Sequence, residues 1–94
     1  IQKQLPKAFT VLKTALEKYP RNFELLISEA QLLIESKLYA HASKKLKRLF
    51  IIKPNDLSLL MLIGLNYAHA GLPNKAMLFF DKAIKLVAED KDEF

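Results

Sequence analysis

Apolar residues recur along this chain at spacings of three and four, in segments rich in Leu, Ala, Lys and Glu, which is the period of helices with one apolar stripe. The stripes are interrupted at Pro20-Arg21-Asn22, Pro54-Asn55-Asp56 and Gly71-Leu72-Pro73, with a weaker break at Ser36-Lys37. The pattern predicts five helices, near residues 5–18, 23–35, 39–52, 57–70 and 73–88. Asn22 and Asp56 stand where a side-chain oxygen can cap free backbone N–H groups, and Pro6 and Pro73 stand near helix starts, where a missing N–H costs nothing. The end, Glu89 to Phe94, turns acidic and is expected to fray into a linker or a solvated cap.

A shift of thirty-four residues lays the chain on itself. It aligns Ala8 with Ala42 and Ala76, Leu12 with Leu46 and Phe80, and Ala15 with Leu49 and Ala83. The same shift pairs Pro20 with Pro54, Leu26 with Leu60, Ala30 with Gly64, and Leu33 with Tyr67. Self-similarity at this period marks stacked helical hairpins. Small residues let helices approach, large ones such as Tyr67 and Phe80 fill the gaps, and each hairpin buries its face on the next. The fold class read from this is all-α.

Composition narrows the picture by exclusion. The chain has 94 residues, no cysteine and no tryptophan, so one domain with a modest core must hold together by packing, without disulfides or thiolate metal sites. Lack of cysteine suits a reducing cytosol and a periplasm alike, so the compartment stays open, with the cytoplasm weakly favoured. The longest apolar stretch, Leu59 to Leu65, falls far short of the ~20 residues that span a bilayer. The chain begins at Ile1 without the regions of a signal peptide, which suggests an excised or processed piece of a larger protein. Residues 1–55 carry eleven Lys/Arg against four Asp/Glu, and residues 56–94 carry four against six, so the net charge of +5 is divided as +7 and −2.

With these residues in view, the pattern resembles the tetratricopeptide repeat over nearly the whole chain. The fullest copy is Leu60, Ile63, Gly64, Tyr67, Gly71, Ala76, Phe80 and Ala83, with Ala88 in place of the closing proline. The middle copy matches at Leu26, Ala30, Leu33, Ala42, Leu46 and Pro54, and the first is a second helix only, with Ala8, Leu12, Ala15 and Pro20. The resemblance implies a right-handed superhelical stack with a half repeat at 5–22, repeats at 23–56 and 57–88, and an acidic tail at 89–94. It departs from the family at Glu29, where the motif has Leu, at Leu49, which replaces a small residue, and at Lys37, which occupies a turn position usually held by glycine. A left-handed conformation at Lys37 would cost on the order of 1 kcal/mol.

The resemblance also implies a use. It assigns a concave groove to Glu24, Ile27, Gln31, Ile34 and Glu35, then to Ser58, Met61, Leu65, Ala68 and His69, and its apolar members suit an amphipathic helix or extended apolar peptide of a partner. The family's carboxylate clamp is absent, since Ile27, Gln31, Ser58 and Leu62 stand at its positions. Family members work as chaperones, assembly factors, secretion components and docking adaptors, and a short apolar-grooved form is similar to bacterial secretion chaperones of this repeat type. The two terminal helices present Phe9, Val11, Met77, Phe79 and Ile84, more apolar surface than five helices can bury, so these end faces are expected to meet another copy, a partner or further chain.

Other constellations carry less. Lys44, Lys45, Lys47 and Arg48, with Lys37 and Lys53, lack interleaved aromatics for stacking bases, so a solvated convex face is the favoured account and nucleic acid a distant third reading. Ile51, beside Phe50 and Ile52, falls where the family exposes a polar residue and marks a second contact. His41 and His69 fall near one end of neighbouring helices, without the further ligands a metal needs. No Ser/His/carboxylate triad, phosphate-cradling glycine loop or paired carboxylates are evident, and the reading contains no enzyme and no cofactor. Lys91-Asp92-Glu93-Phe94 resembles a retrieval signal, for which a charged linker is the plainer account. Protein binding is the expectation, with a structural or oligomerising segment as the alternative.

Overall fold

The breaks in the apolar pattern become turns that repeat their hydrogen bonds one repeat apart. In the computed structural model, which describes residues 5–92, the helices are α1 (Leu5–Lys18), α2 (Phe23–Glu35), α3 (Tyr39–Ile52), α4 (Leu57–His69) and α5 (Pro73–Asp92). There is no strand among the described residues. Before α2, Asn22 Oδ1 accepts from the Leu25 N–H at 3.0 Å; before α4, Asp56 Oδ1 accepts from the Leu59 N–H at 2.9 Å. Each cap satisfies a donor that the helix start leaves free and contributes on the order of 1 kcal/mol.

The ends of α2 and α4 match as closely as their starts. The Leu38 N–H returns to the Leu33 carbonyl at 2.8 Å and the Lys37 N–H to Ile34 at 2.9 Å; in the next hairpin Leu72 returns to Tyr67 at 2.8 Å and Gly71 to Ala68 at 3.1 Å. This crossed pair of bonds needs a left-handed residue just past the helix, and φ is 63° at Lys37 and 81° at Gly71. Glycine adopts that conformation freely, whereas a lysine Cβ meets its own carbonyl. The strain expected of Lys37 is therefore present.

One boundary differs from the sequence reading by more than a residue. α5 continues through Asp92, past the expected end at 88, so residues 89–92 form its last turn and do not fray; the final two residues lie outside those described. The cause is local. No glycine or proline follows Pro73, and Ala88, Glu89 and Lys91 all favour a helix.

Consecutive helices pack on one another, α4 on α5 most extensively, and α2 also touches α4. The result is an all-α stack in which α1 lies against the hairpin α2–α3 and that hairpin lies against α4–α5. Ala30, Ala42, Leu46, Leu49, Leu59, Leu62 and Ile63 form the central cluster. Ala42 and Ala76 are almost wholly enclosed, as close helix contact requires. At Gly64 the approach is closer still, since a Cβ built there would lie 2.5 Å from the Phe80 ring. Two polar groups enter these interfaces. Asn66 is 2% exposed and donates from Nδ2 to the Tyr39 carbonyl at 3.2 Å and to Ser43 Oγ at 3.0 Å. Glu29, standing where leucine was expected, is half-buried and held by Lys45 Nζ at 3.5 Å, an ion pair that contributes at most about 1 kcal/mol.

The two left-handed turn positions, Lys37 and Gly71, predict opposite shifts. Lys37→Gly is expected to stabilise the protein by up to ~1 kcal/mol, a rise of several degrees in Tm, and Gly71→Ala to destabilise it by a similar amount. Gly64→Ala gains ~1 kcal/mol of helix propensity but overpacks against Phe80 by roughly 1–3 kcal/mol, so a net loss is expected. Thermal and urea unfolding of the three variants measure all of this, and an unchanged Lys37→Gly would mean that the turn holds no strain.

Candidate functional site

The groove residues supplied by the repeat register separate into two kinds. Glu24, Gln31, Glu35, Ser58, Met61, Leu65, Ala68 and His69 are exposed on α2 and α4. Ile27 and Ile34 are half-buried and pack against the central cluster, so they belong to the fold as much as to any surface. The groove assigned to them is therefore partly closed by the packing of the stack itself, in which α4 touches α2.

Two hollows then divide what is left. One, of about 690 Å³, lies at the α1 end, between Ala8, Val11 and Ala15 of α1 and Leu25, Gln31 and Glu35 of α2. The other, of about 450 Å³, lies at the α5 end, between Leu57 and Met61 of α4 and Ala83, Ile84, Val87 and Ala88 of α5. Met61 thus shares a surface with Ile84, a residue assigned to the terminal face. The assigned groove and the terminal face meet at this hollow.

The terminal residues are also of two kinds. Val11 is 66% exposed, Met77 55% and Ile84 65%, as expected of uncovered ends. Phe9 is half-buried beside Leu12 and Leu16. Phe79 is half-buried too, with its ring edge-on to Phe50 at 5.6 Å and tilted against Tyr67 at 5.8 Å. It is a packing residue between the hairpins, and Leu78 beside it is the one left open. Sequence spacing cannot separate these two neighbours, because both fall near the edge of the α5 stripe.

The basic cluster is dispersed in the same way. Lys44, Lys47 and Arg48 are exposed, Lys45 turns inward to Glu29, and Lys53 lies over the Phe23 ring at 4.3 Å. Lys75 and Lys82 of α5 join the same side of the molecule, with Nζ 5.7 Å from the Tyr67 ring centre and 5.3 Å from that of Phe50. No spacing along the chain signals these two additions, since they arrive only when α5 packs on α4. His69 stacks parallel to Tyr39 at 6.1 Å, and among the described residues no group of three His, Cys, Asp or Glu side chains gathers. No helix among them is long and apolar enough to cross a membrane.

Compared with protein-family models and with curated proteins, the chain matches none. What the fold defines by itself is a class, a stack of helical hairpins with two open ends. Translation by one repeat compares those ends with the interior. Phe23, Ile27, Ser43 and Phe50 are half-buried, while their counterparts Leu57, Met61, Met77 and Ile84 are 45%, 42%, 55% and 65% exposed. Three of the four pairs are apolar on both sides, and Ser43 alone is polar where its counterpart Met77 is apolar. The first four lie between hairpins, and nothing among the described residues covers the second four.

Ile27→Asp is therefore expected to destabilise the protein by roughly 1–3 kcal/mol through an unpaired charge against the core, whereas Met61→Asp at the equivalent open position changes stability by no more than ~0.5 kcal/mol. Urea midpoints of the two variants measure the contrast, and equal losses would show that Met61 is covered as well.

Proposed function

We propose that this chain is a tetratricopeptide-like repeat scaffold that binds another protein, taking an amphipathic helix of its partner on the open face of α4 and α5. The observation that carries the reading is the comparison across one repeat: Leu57, Met61, Met77 and Ile84 are open where Phe23, Ile27, Ser43 and Phe50 are covered. An interior interface left without its covering helix has the shape and chemistry to accept one. Leu65, 41% exposed, extends the surface along α4, and Val87, also 41% exposed, extends it along α5. The thirty-four-residue period supports the family reading, because caps, left-handed turns and small buried residues all recur at that interval.

The energetics set the kind of partner. Six side chains that are about half exposed gain roughly 1 kcal/mol each when covered, about 6 kcal/mol in all, against an association cost of at least about 4 kcal/mol. An apolar stripe alone gives weak binding. A partner helix needs polar contacts at the rim, and Ser58, Ala68 and His69 along α4 offer it a mixed border.

The second reading is self-association, and the α1 hollow with Val11 favours it, because each molecule then carries an open face at both ends. The double variant Met61→Asp/Ile84→Asp is expected to keep its helicity and Tm while losing its partner in parallel affinity purifications from the source cell. Sedimentation velocity across a concentration series separates the two readings: a wild-type dimer that the double variant converts to monomer assigns the face to a second copy. If wild type and variant sediment alike and retain the same proteins, the α4–α5 face is not a binding surface.

A further inference from the structure

We propose that a second site, on the opposite side of the hairpin junction from the open face, receives an aromatic side chain of an acidic segment of another protein. The site is a pocket of about 280 Å³ where α3, α4 and α5 meet, walled by Phe50, Ile63, Tyr67 and Phe79. Phe50 and Phe79 already meet edge to face and Phe79 lies tilted on Tyr67, so a further ring would join an existing aromatic cluster in the geometry such rings favour. The volume suits one large side chain and no more.

Asn66 lines the pocket but offers that side chain no partner, since its amide N–H groups bond Tyr39 and Ser43 and its Oδ1 is enclosed. The charges nearby say what surrounds the ring. Three lysines stand near the cluster. Lys47 lines the pocket, Lys75 Nζ lies 5.7 Å from the Tyr67 centre, and Lys82 Nζ, which borders an adjoining hollow with Lys85 and Glu89, lies 5.3 Å and 5.4 Å from the Phe50 and Phe79 centres. No Asp or Glu is among the residues that line it. Aspartates and glutamates on either side of the aromatic anchor meet these lysines, which gives the contact its sign and its specificity. Ile51, 80% exposed at the edge, supplies the apolar border that its position on a solvated helix otherwise leaves without a use. Nucleic acid fits less well, since a pocket of this size takes one ring and offers no run of faces on which successive bases would stack.

The chain has no tryptophan, so the fluorescence of a synthetic peptide with one tryptophan between runs of aspartate and glutamate reports binding directly. Addition of the protein is expected to shift that emission to the blue, and added salt to reverse the shift. Lys47→Glu/Lys82→Glu is expected to weaken binding about tenfold, with helicity checked by circular dichroism, and Lys47→Glu alone, at an exposed position, by a smaller factor. Met61→Asp/Ile84→Asp is expected to leave it unchanged, which separates this site from the α4–α5 face. The proposal is overturned if the wild-type protein gives no blue shift, if the lysine variants bind equally, or if a peptide with lysines around the tryptophan binds as well. It is also overturned if Met61→Asp/Ile84→Asp abolishes binding, or if single-stranded DNA or anionic phospholipid vesicles bind more tightly and displace the peptide.

Discussion

Two helices can lie so close that a phenyl ring rests on the opposite backbone only where no Cβ stands between them. Gly64 under the ring of Phe80 meets that condition, and the most extensive helix contact of the molecule, α4 on α5, is built around it. Ala30 and Ala42 do the same work between α2 and α3 with a single methyl each. Once α5 is drawn onto α4 at this distance, Phe79 on the neighbouring position is carried to Phe50 and Tyr67, and Lys82 is carried over the Phe50 and Phe79 rings. On the far side of α5, Ile84 and Val87 are left facing outward beside Met61. Both proposed binding surfaces are thus consequences of one close approach.

A repeat stack makes little distinction between folding and binding. The side chains that hold one hairpin to the next are of the same kind as those that stand open at the end, and only the presence of a neighbour decides which role they take. Phe50 and Ile84 occupy the same place in successive repeats, one half-buried, the other 65% exposed. This is why Ile27 packs against the core while Met61, one repeat along, stands open. It also explains why the apolar ends need no specialised chemistry to be functional, since they reuse an interface whose geometry the molecule already contains.

Helices, caps and turns were legible because their causes are local. Asn22 and Asp56 cap, Pro20 and Pro54 interrupt, and Lys37 takes the left-handed turn that its alignment with Gly71 implies, each within a few residues of its own position. The surfaces were only partly legible. Ile27 and Ile34 stand in the groove by register, and nothing along α2 reveals that they also pack against the central cluster. Phe79 read as an end residue although it points to the previous hairpin, and the adjoining Leu78 took the exposed place. Lys75 and Lys82 carried no signal, for their relation to Phe50 and Tyr67 exists only after three helices have packed. α5 outran its expected end because acidity was read as a stop, whereas only a breaker or a missing hydrogen bond stops a helix.

Apolar ridges alone leave two stacked hairpins free to slide, since a leucine one turn along fits nearly as well as the leucine it replaces. Asn66 removes that freedom. Its amide reaches the Tyr39 carbonyl and Ser43 Oγ across the interface, and a slip of one turn would break both bonds. The net gain from such a bond is small, yet the penalty for losing it falls only on the wrong alignments. A single buried amide therefore acts as a vernier for the stack, fixing the phase of one hairpin against the next, and the pitch of a longer array made from this unit would be set there.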